Sequence, residues 1–353
     1  MILVRRRAGG LPAGPARAAQ ARGRELTTAD RVFQWVAGVA ATLPLGALAF
    51  IAVVLVVYAF PAILYADTSF FTSTHFSLGN LYGSTLSSHN GVTAPAGAAY
   101  GAVVFIVGTL TTSVIAIVLA VPISVGGVLM LSEWLPPRLQ GLLSTFVELL
   151  AGIPSVVFGI WGLTVFGPFL ALHIFPALTS IGAVIPFFKG PVGFGQGLLT
   201  ASLVLAIMIV PIVASTTREL VKRVPVLAHE GALALGMNRY ETVRVVTLPY
   251  IRSGIIAATL LGWGRALGET LAVLLILGNI GYLPHNLYLG TSTLAAQIAD
   301  TLDSAFTDPT QMAVRALAEL AVLLLLISLA TNFCGRLVVR RISSEALPVG
   351  RGV

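Results

Sequence analysis

Long uncharged apolar runs separated by short polar stretches dominate this chain. An apolar helix needs ~20 residues to cross a bilayer at 1.5 Å rise per residue. Six segments meet that length: 33–60, 102–132, 147–172, 197–217, 249–280 and 313–335. The last two carry ionisable residues, which a span tolerates when they face protein or a polar cavity. The uncharged run from Val36 to Phe60 exceeds the roughly 7–15 residues of a signal-peptide core, so it is expected to persist as the first span. The connecting segments differ in character. Residues 61–101 are rich in Ser, Thr, Gly and Asn. Residues 173–196 are apolar but interrupted by Pro176, Pro186 and Pro191, which suggests a re-entrant or interfacial segment. Residues 281–312 carry Asp300, Asp303 and Asp308, suited to meeting an extracytoplasmic partner.

Composition narrows the class further. Hydrophobic residues make up 56% of the 353 and charged residues only 10%, against about 25% charged in a soluble domain. So few charges cannot solvate a globule of this size, which excludes a soluble enzyme, a secreted disulfide scaffold and a disordered regulator. The expected fold class is an all-α membrane protein of six transmembrane helices.

The 21 basic residues outnumber the 14 acidic ones, and bilayer topology accounts for the excess without nucleic acid. With the N-terminus inside, residues 1–32 contribute seven arginines. Arg138 follows, then Arg218, Lys222, Arg223, Arg239 and Arg244, and finally Arg336, Arg340, Arg341 and Arg351. The outer loops hold Lys189 alone. Both termini are therefore expected in the cytoplasm. Residues 1–32, with Gly, Pro and Ala among the arginines, read as a disordered basic arm held near anionic lipid; 336–353 read as a cytoplasmic tail. The single cysteine, Cys334, has no partner for an internal disulfide. The histidines His75, His89, His173, His229 and His285 show no metal-ligand spacing, so neither a metal site nor a catalytic residue is expected.

The loop at 218–249 carries the most information. Glu230, Ala232, Ala234, Leu235 and Gly236, then Val246, Leu248 and Pro249, suggest helix, turn, helix and a proline opening the next helix. Gly236 suits a reversal that needs positive φ. One reading is an amphipathic interfacial helix. The other rests on spacing: Glu230-Gly231-Ala232, Gly236, Val246 and Leu248-Pro249 fit the EAA-x3-G-x9-I-x-LP pattern of ABC importer permeases. Gly231 stands for the first Ala and Val246 for Ile.

Further segments extend the likeness along nearly all the spans. They are Ala151-Gly152-Ile153-Pro154-Ser155-Val156-Val157-Phe158-Gly159, Leu205–Pro211, Pro249–Gly254, Gly264-Arg265-Ala266-Leu267-Gly268-Glu269-Thr270 and Thr293–Ala299. With them the chain resembles the PstC-type permease subunit of bacterial phosphate ABC importers. Ala272-Val273 after the Glu-Thr pair favours this type over the homologous PstA-type, which tends to have a proline there. Trp263 and the long basic arm depart from the common pattern.

The resemblance implies the type I importer (MetI-like) fold in the bacterial plasma membrane. It also implies assembly with a PstA-type second permease, a PstB-type ATPase dimer and a PstS-type extracytoplasmic phosphate-binding protein. No Walker motif occurs in the chain, so ATP and Mg belong to the partner ATPase and no cofactor is expected here.

Arg265 and Glu269 fall four residues apart in the fifth apolar segment, a spacing that on one helix places them on a shared face. One reading is a self-neutralising structural pair. The other is a polar station on the substrate path, in which Glu269 holds Arg265 in position or keeps the site weak enough for release; the resemblance points to the same two positions, and Thr270 beside them is counted on the path. A guanidinium suits phosphate because its planar fork donates to two oxygens at once. Arg315 and Glu319 repeat the spacing near the outer end of span six, where Arg315 can snorkel to the interface; Glu148 is ambiguous. Another oxyanion, molybdate, tungstate or sulfate, is the alternative substrate, although those permeases usually have Phe where this chain has Thr270. An intramembrane enzyme would need a nucleophile with its base, HExxH or an aspartate pair, none of which is present. A stand-alone channel or carrier would not need the EAA loop.

Overall fold

The computed structural model describes residues 28–83 and 85–344. The chain divides into two units, one ending at Val53 and the other starting at Val54. The first unit is the leading part of helix α1 (Thr28–Ala66), which exposes Phe33, Trp35, Leu43, Leu45 and Phe50 around its circumference. A helix that is apolar all round and exposed suits lipid. It begins at Thr28, so the expectation of a disordered arm now concerns residues 1–27, which lie outside the described residues.

The second unit begins with the end of α1, a single turn α2 (Ser69–Thr72) and a small β layer. Strand β1 (Phe76–Ser77) pairs antiparallel with β4 (Ala99–Tyr100), Phe76 opposite Tyr100; β2 (Leu86–His89) pairs antiparallel with β3 (Val92–Pro95), His89 opposite Val92. Asn90 and Gly91, at φ 49° and 76°, make the tight reversal between β2 and β3, because two successive positive φ values match the strand twist.

The helices that follow are α3 (Val103–Trp134), α4 (Pro137–Ala151), α5 (Ser155–Trp161), α6 (Gly167–His173), α7 (Phe175–Ile181) and α8 (Leu198–Val221). Then come α9 (Val226–Ala234), α10 (Arg239–Thr242), α11 (Leu248–Leu267), α12 (Leu271–Leu277), α13 (Leu294–Ala305) and α14 (Met312–Ser344). Six helical stretches are long and apolar enough to cross a membrane. In α8, 72% of the apolar window is buried, against 11–44% in the other five, so α8 is the axis of the bundle. Its Val204, Leu205, Ile209 and Val213 share one core with Ala116 and Ala120 of α3, Ala258 of α11, and Val273 and Ile276 of α12. Helices in lipid gain no hydrophobic drive from one another, so close approach at small residues carries the packing. A Cβ on Gly262 would lie 2.8 Å from Ile209, and one on Gly159 would lie 2.8 Å from the Ala272 Cα.

Two spans differ from the sequence expectation. The third was expected from 147, but α4 is a separate helix that ends at Ala151, and the span is Ser155–His173. Pro154 forces the separation, since it has no N–H to extend the α4 ladder and restricts the residue before it. The fifth was expected at 249–280. Its long helix is instead Arg239–Leu267, broken at Gly268-Glu269-Thr270 before α12. Pro249 does not open this helix but lies inside it, just after the π turn Val243–Thr247. The π turn Gly162–Phe166 likewise precedes Gly167-Pro168. In both places the N–H before the proline reaches back five residues, Leu248 to Val243 and Gly167 to Gly162. Widening the turn fits a proline that cannot donate, without breaking the helix.

At the other end of the bundle α13 docks onto α14 and α3. The Leu294 N–H donates to Thr109 Oγ1 at 2.9 Å, and Gly108 abuts the Ser292 carbonyl. Asp300 and Asp303 are exposed. Asp308, expected to face a partner, is buried and caps α14, accepting from the Ala313 N–H at 2.8 Å and from Thr310. Helix α14 continues through Ser344, so residues 336–344 prolong the helix of the sixth span and 345–353 lie outside the described residues.

Candidate functional site

The first candidate element is the elbow between α8 and α11. Helix α9 stops at Ala234, and Gly236 takes φ +85°. The Gly236 N–H donates to the Leu233 carbonyl at 3.0 Å and the Met237 N–H to the Ala232 carbonyl at 3.2 Å, the paired bonds of a Schellman ending. The chain restarts at once. Asn238 Oδ1 accepts from the Glu241 N–H at 2.9 Å while Glu241 Oε2 accepts from the Asn238 N–H at 2.8 Å, a capping box that satisfies two orphan donors reciprocally. A four-residue turn is thus fixed at both ends by its own sequence.

The elbow is tied to the end of α3 through Glu133. Its carboxylate lies 3.6 Å from His229 Nε2, and its backbone carbonyl accepts from Arg239. Val243 and Ile251 bury against Leu129, with Leu220 and Val224 alongside. Ala232 points inward and is buried, while Glu230, Gly231 and Gly236 are exposed, Val246 and Leu248 half-buried and Pro249 exposed. Between them the elbow presents Leu227 at 84% exposure and Leu235 at 82%, with Val226 and Tyr240 beside them. Apolar side chains this exposed at the end of a membrane bundle suit a protein or membrane-surface contact. Glu148 and Arg218 stand near the same end, 3.5 Å apart and solvated, so the pair contributes little to stability.

The second candidate element is the break in span five. Helix α11 ends at Leu267, where the Gly268 N–H bonds the Arg265 carbonyl, and α12 restarts after Thr270, whose carbonyl accepts from Leu274. The i, i+4 pairing expected of Arg265 and Glu269 is therefore absent. Arg265 is exposed on the last turn of α11, whereas Glu269 lies beyond the helix and is 8% exposed. Among the described residues no ion pair or hydrogen bond joins them. Thr270 is half-buried at the start of α12. Non-helical backbone at membrane depth is tolerated where it is buried in protein or lines a cavity. Trp263, the departure noted in the sequence, has a packing role: its Nε1–H donates to Ser113 Oγ of α3 at 3.2 Å, two residues before Arg265.

The outer pair stays on one continuous helix, α14, but among the described residues forms no ion pair. Arg315 lies over the Tyr58 ring at 5.9 Å from its centroid, and one oxygen of the buried Glu319 has no hydrogen-bond partner. Sequence reasoning missed Glu133 as the elbow's anchor, because nothing local marks a helix-end acid as a long-range contact. It also missed the capping box, although Asn238-x-x-Glu241 was readable, and the hairpin, although Asn90-Gly91 is a strong short-range signal.

The fold is thus a bundle of apolar spans that carries a rigid, outward-standing elbow and a fifth span broken at an ionisable residue. Residues 123–344 match the family model of the binding-protein-dependent transport system inner membrane component. Phosphate transport system permease protein PstC 1 of Mycobacterium tuberculosis is 49% identical over 337 residues, covering 94% of this chain and 99% of that protein. The PstC permease of Haemophilus influenzae is 42% identical over 246 residues, covering 69% and 76% respectively. Among solved structures, the MetNI methionine ABC transporter in inward-facing conformations overlaps with a TM-score of 0.47 at 19% identity, covering 69% of this chain and 94% of that one. The chain belongs to the binding-protein-dependent transport system inner membrane component family and, within it, to the PstC-type permeases.

Proposed function

We propose that this chain is one of two permease subunits of an ATP-driven importer that carries inorganic phosphate across a bacterial plasma membrane. The observation that carries the reading is the elbow, locked by the Schellman ending at Gly236 and the capping box at Asn238 and continuous with span five. An ATPase that grips Leu227, Leu235 and Tyr240 moves α11 as a rigid lever rather than deforming a loop. The far end of that lever is Arg265, followed by the break at Glu269. ATPase closure at one end thereby reaches the polar residues at the other, the rigid-element transmission that switching proteins use.

In this reading both termini and the elbow are cytoplasmic, as the lysine and arginine distribution favours. The partners are a PstA-type permease, a PstB-type ATPase dimer that binds ATP and Mg, and a PstS-type phosphate-binding protein on the outer side. Arg265, exposed on a face that a second permease completes, offers phosphate its guanidinium fork. Glu269 and Thr270 line the same stretch of path. Among the described residues Arg265 has no ion pair, which departs from the pairing expected under either reading and leaves its guanidinium open to an anion.

Uptake of radiolabelled phosphate tests the reading, in cells whose own high-affinity permease is deleted and which carry this chain with its partner subunits. Restored uptake that unlabelled phosphate competes and sulfate or molybdate does not is the expected result. Competition by sulfate or molybdate instead would assign the path to another oxyanion.

A further inference from the structure

A largely apolar groove with a basic rim lies between α11 and α14. It has a volume of 410 Å³ and is lined by Ala257, Leu260, Leu261, Asn332, Arg336 and Arg340, with Val339. Asn332, Arg336 and Arg340 repeat every fourth residue, so they form one stripe along α14. Both arginines are exposed, and among the described residues neither has an ion pair or a side-chain hydrogen bond. No carboxylate lines the groove. Its walls are fixed relative to each other: Gly335 abuts Leu260, and Arg252 Nη2 donates to the Ile342 carbonyl at 3.2 Å across the two helices.

Depth decides what such a groove meets. The stretch Met312–Ile342 has 31 residues, about 46 Å of helix at 1.5 Å per residue. The hydrocarbon layer is about 30 Å thick. Counted from Met312, it is spanned near Asn332, which leaves Arg336 and Arg340 at headgroup level while apolar side chains of α11 form the opposite wall. A phosphodiester at that level finds two unpaired guanidinium groups, and its acyl chain finds an apolar wall.

We propose that this groove binds an anionic phospholipid, its headgroup phosphate held between Arg336 and Arg340 and its glycerol and first acyl carbons passing Leu260 and Leu261 toward the hydrocarbon. The inference rests on membrane embedding and not on the identity of the transported solute.

The test uses the purified complex in nanodiscs of phosphatidylcholine with a minority of phosphatidylglycerol, and native mass spectrometry to count the phosphatidylglycerol it retains. The parental complex should retain phosphatidylglycerol in preference to phosphatidylcholine. The double variant Arg336→Gln with Arg340→Gln should weaken that retention about 30-fold, since each basic residue near the surface contributes about fivefold. Arg336→Lys with Arg340→Lys should keep most of it. Excess inorganic phosphate should not displace the lipid, because it lacks the acyl chain.

Equal retention of the two lipids by the parental complex overturns the proposal whether or not the glutamine variant assembles. So does undiminished retention by an assembled glutamine variant, or displacement by inorganic phosphate. Cross-linking of Asn332→Cys to the second permease subunit would assign the groove to a protein contact instead.

Discussion

Replacing Gly236 by valine perturbs one torsion and little else. The residue is exposed, and a Cβ built there has nothing within 4 Å, so any effect comes from the backbone alone. At φ +85° an ordinary L-residue is disfavoured by roughly 1–2 kcal/mol, and a β-branched one by more. The chain can keep the conformation and bear that strain. Alternatively it can relax and lose the bonds from Gly236 to Leu233 and from Met237 to Ala232, at ~0.5–1.5 kcal/mol each. Either route costs about 2 kcal/mol, a factor of about 30 in the population of the rigid elbow. Phosphate uptake and substrate-stimulated ATP hydrolysis by the reconstituted complex should fall together, while immunoblots show the chain still in the membrane.

Two companion variants isolate the cause. Asparagine tolerates the left-handed region, so Gly236→Asn should retain most activity. Gly231→Ala, five residues earlier in the interior of α9 with open space around it, should be neutral or stabilising, because glycine costs a helix about 1 kcal/mol relative to alanine. Parental activity in Gly236→Val, or equal impairment in Gly231→Ala, would refute the claim that a left-handed hinge sets the elbow.

Further predictions follow from the same geometry. With cytoplasmic termini, cysteines at Ser87 or Ser304 should react with an impermeant thiol reagent added outside intact cells and one at Asn238 should not; the reverse pattern would invert the topology. Gly108→Ala places a Cβ against the Ser292 carbonyl and should destabilise by about 1–3 kcal/mol, read as an earlier thermal transition in detergent. Gly126→Ala on the same helix meets nothing within 4 Å and should leave that transition in place, and equal behaviour of the two would disprove the close approach. Arg265→Gln should lower phosphate uptake about 10- to 100-fold through the loss of one charge-assisted contact, with assembly intact on size exclusion because no buried partner is left uncompensated. Adding Glu269→Gln should not rescue it, and parental uptake by either variant would remove Arg265 from the path.

What the sequence disclosed and what it hid follow from the range of the interactions involved. Span positions are set by the local apolar run, so α3 and α8 fall within a few residues of expectation. Gly236 is legible because a helix must end where only glycine readily turns left-handed. The π turns before Pro168 and Pro249 are not legible in the same way, since proline can either break a helix or be absorbed by a wider turn. Packing decides between them, with Val243 and Thr247 buried against their neighbours. Asp308 looked like a ligand for a partner because it is acidic and in a loop, but a buried helix start needed its oxygens more.

Arg265 and Glu269 show the limit most sharply. Four-residue spacing implies contact only if the helix continues, and here Gly268 offered an ending that hydropathy could not reveal. The break changes the electrostatic problem from a neutralised pair to two separate groups, one exposed and one buried. A bound pair would present phosphate with no net charge. Among the described residues Arg265 forms no ion pair, and it stands exposed on the last turn of the long helix. Its position on α11 also places it on the same continuous helix as the elbow, Arg239–Leu267.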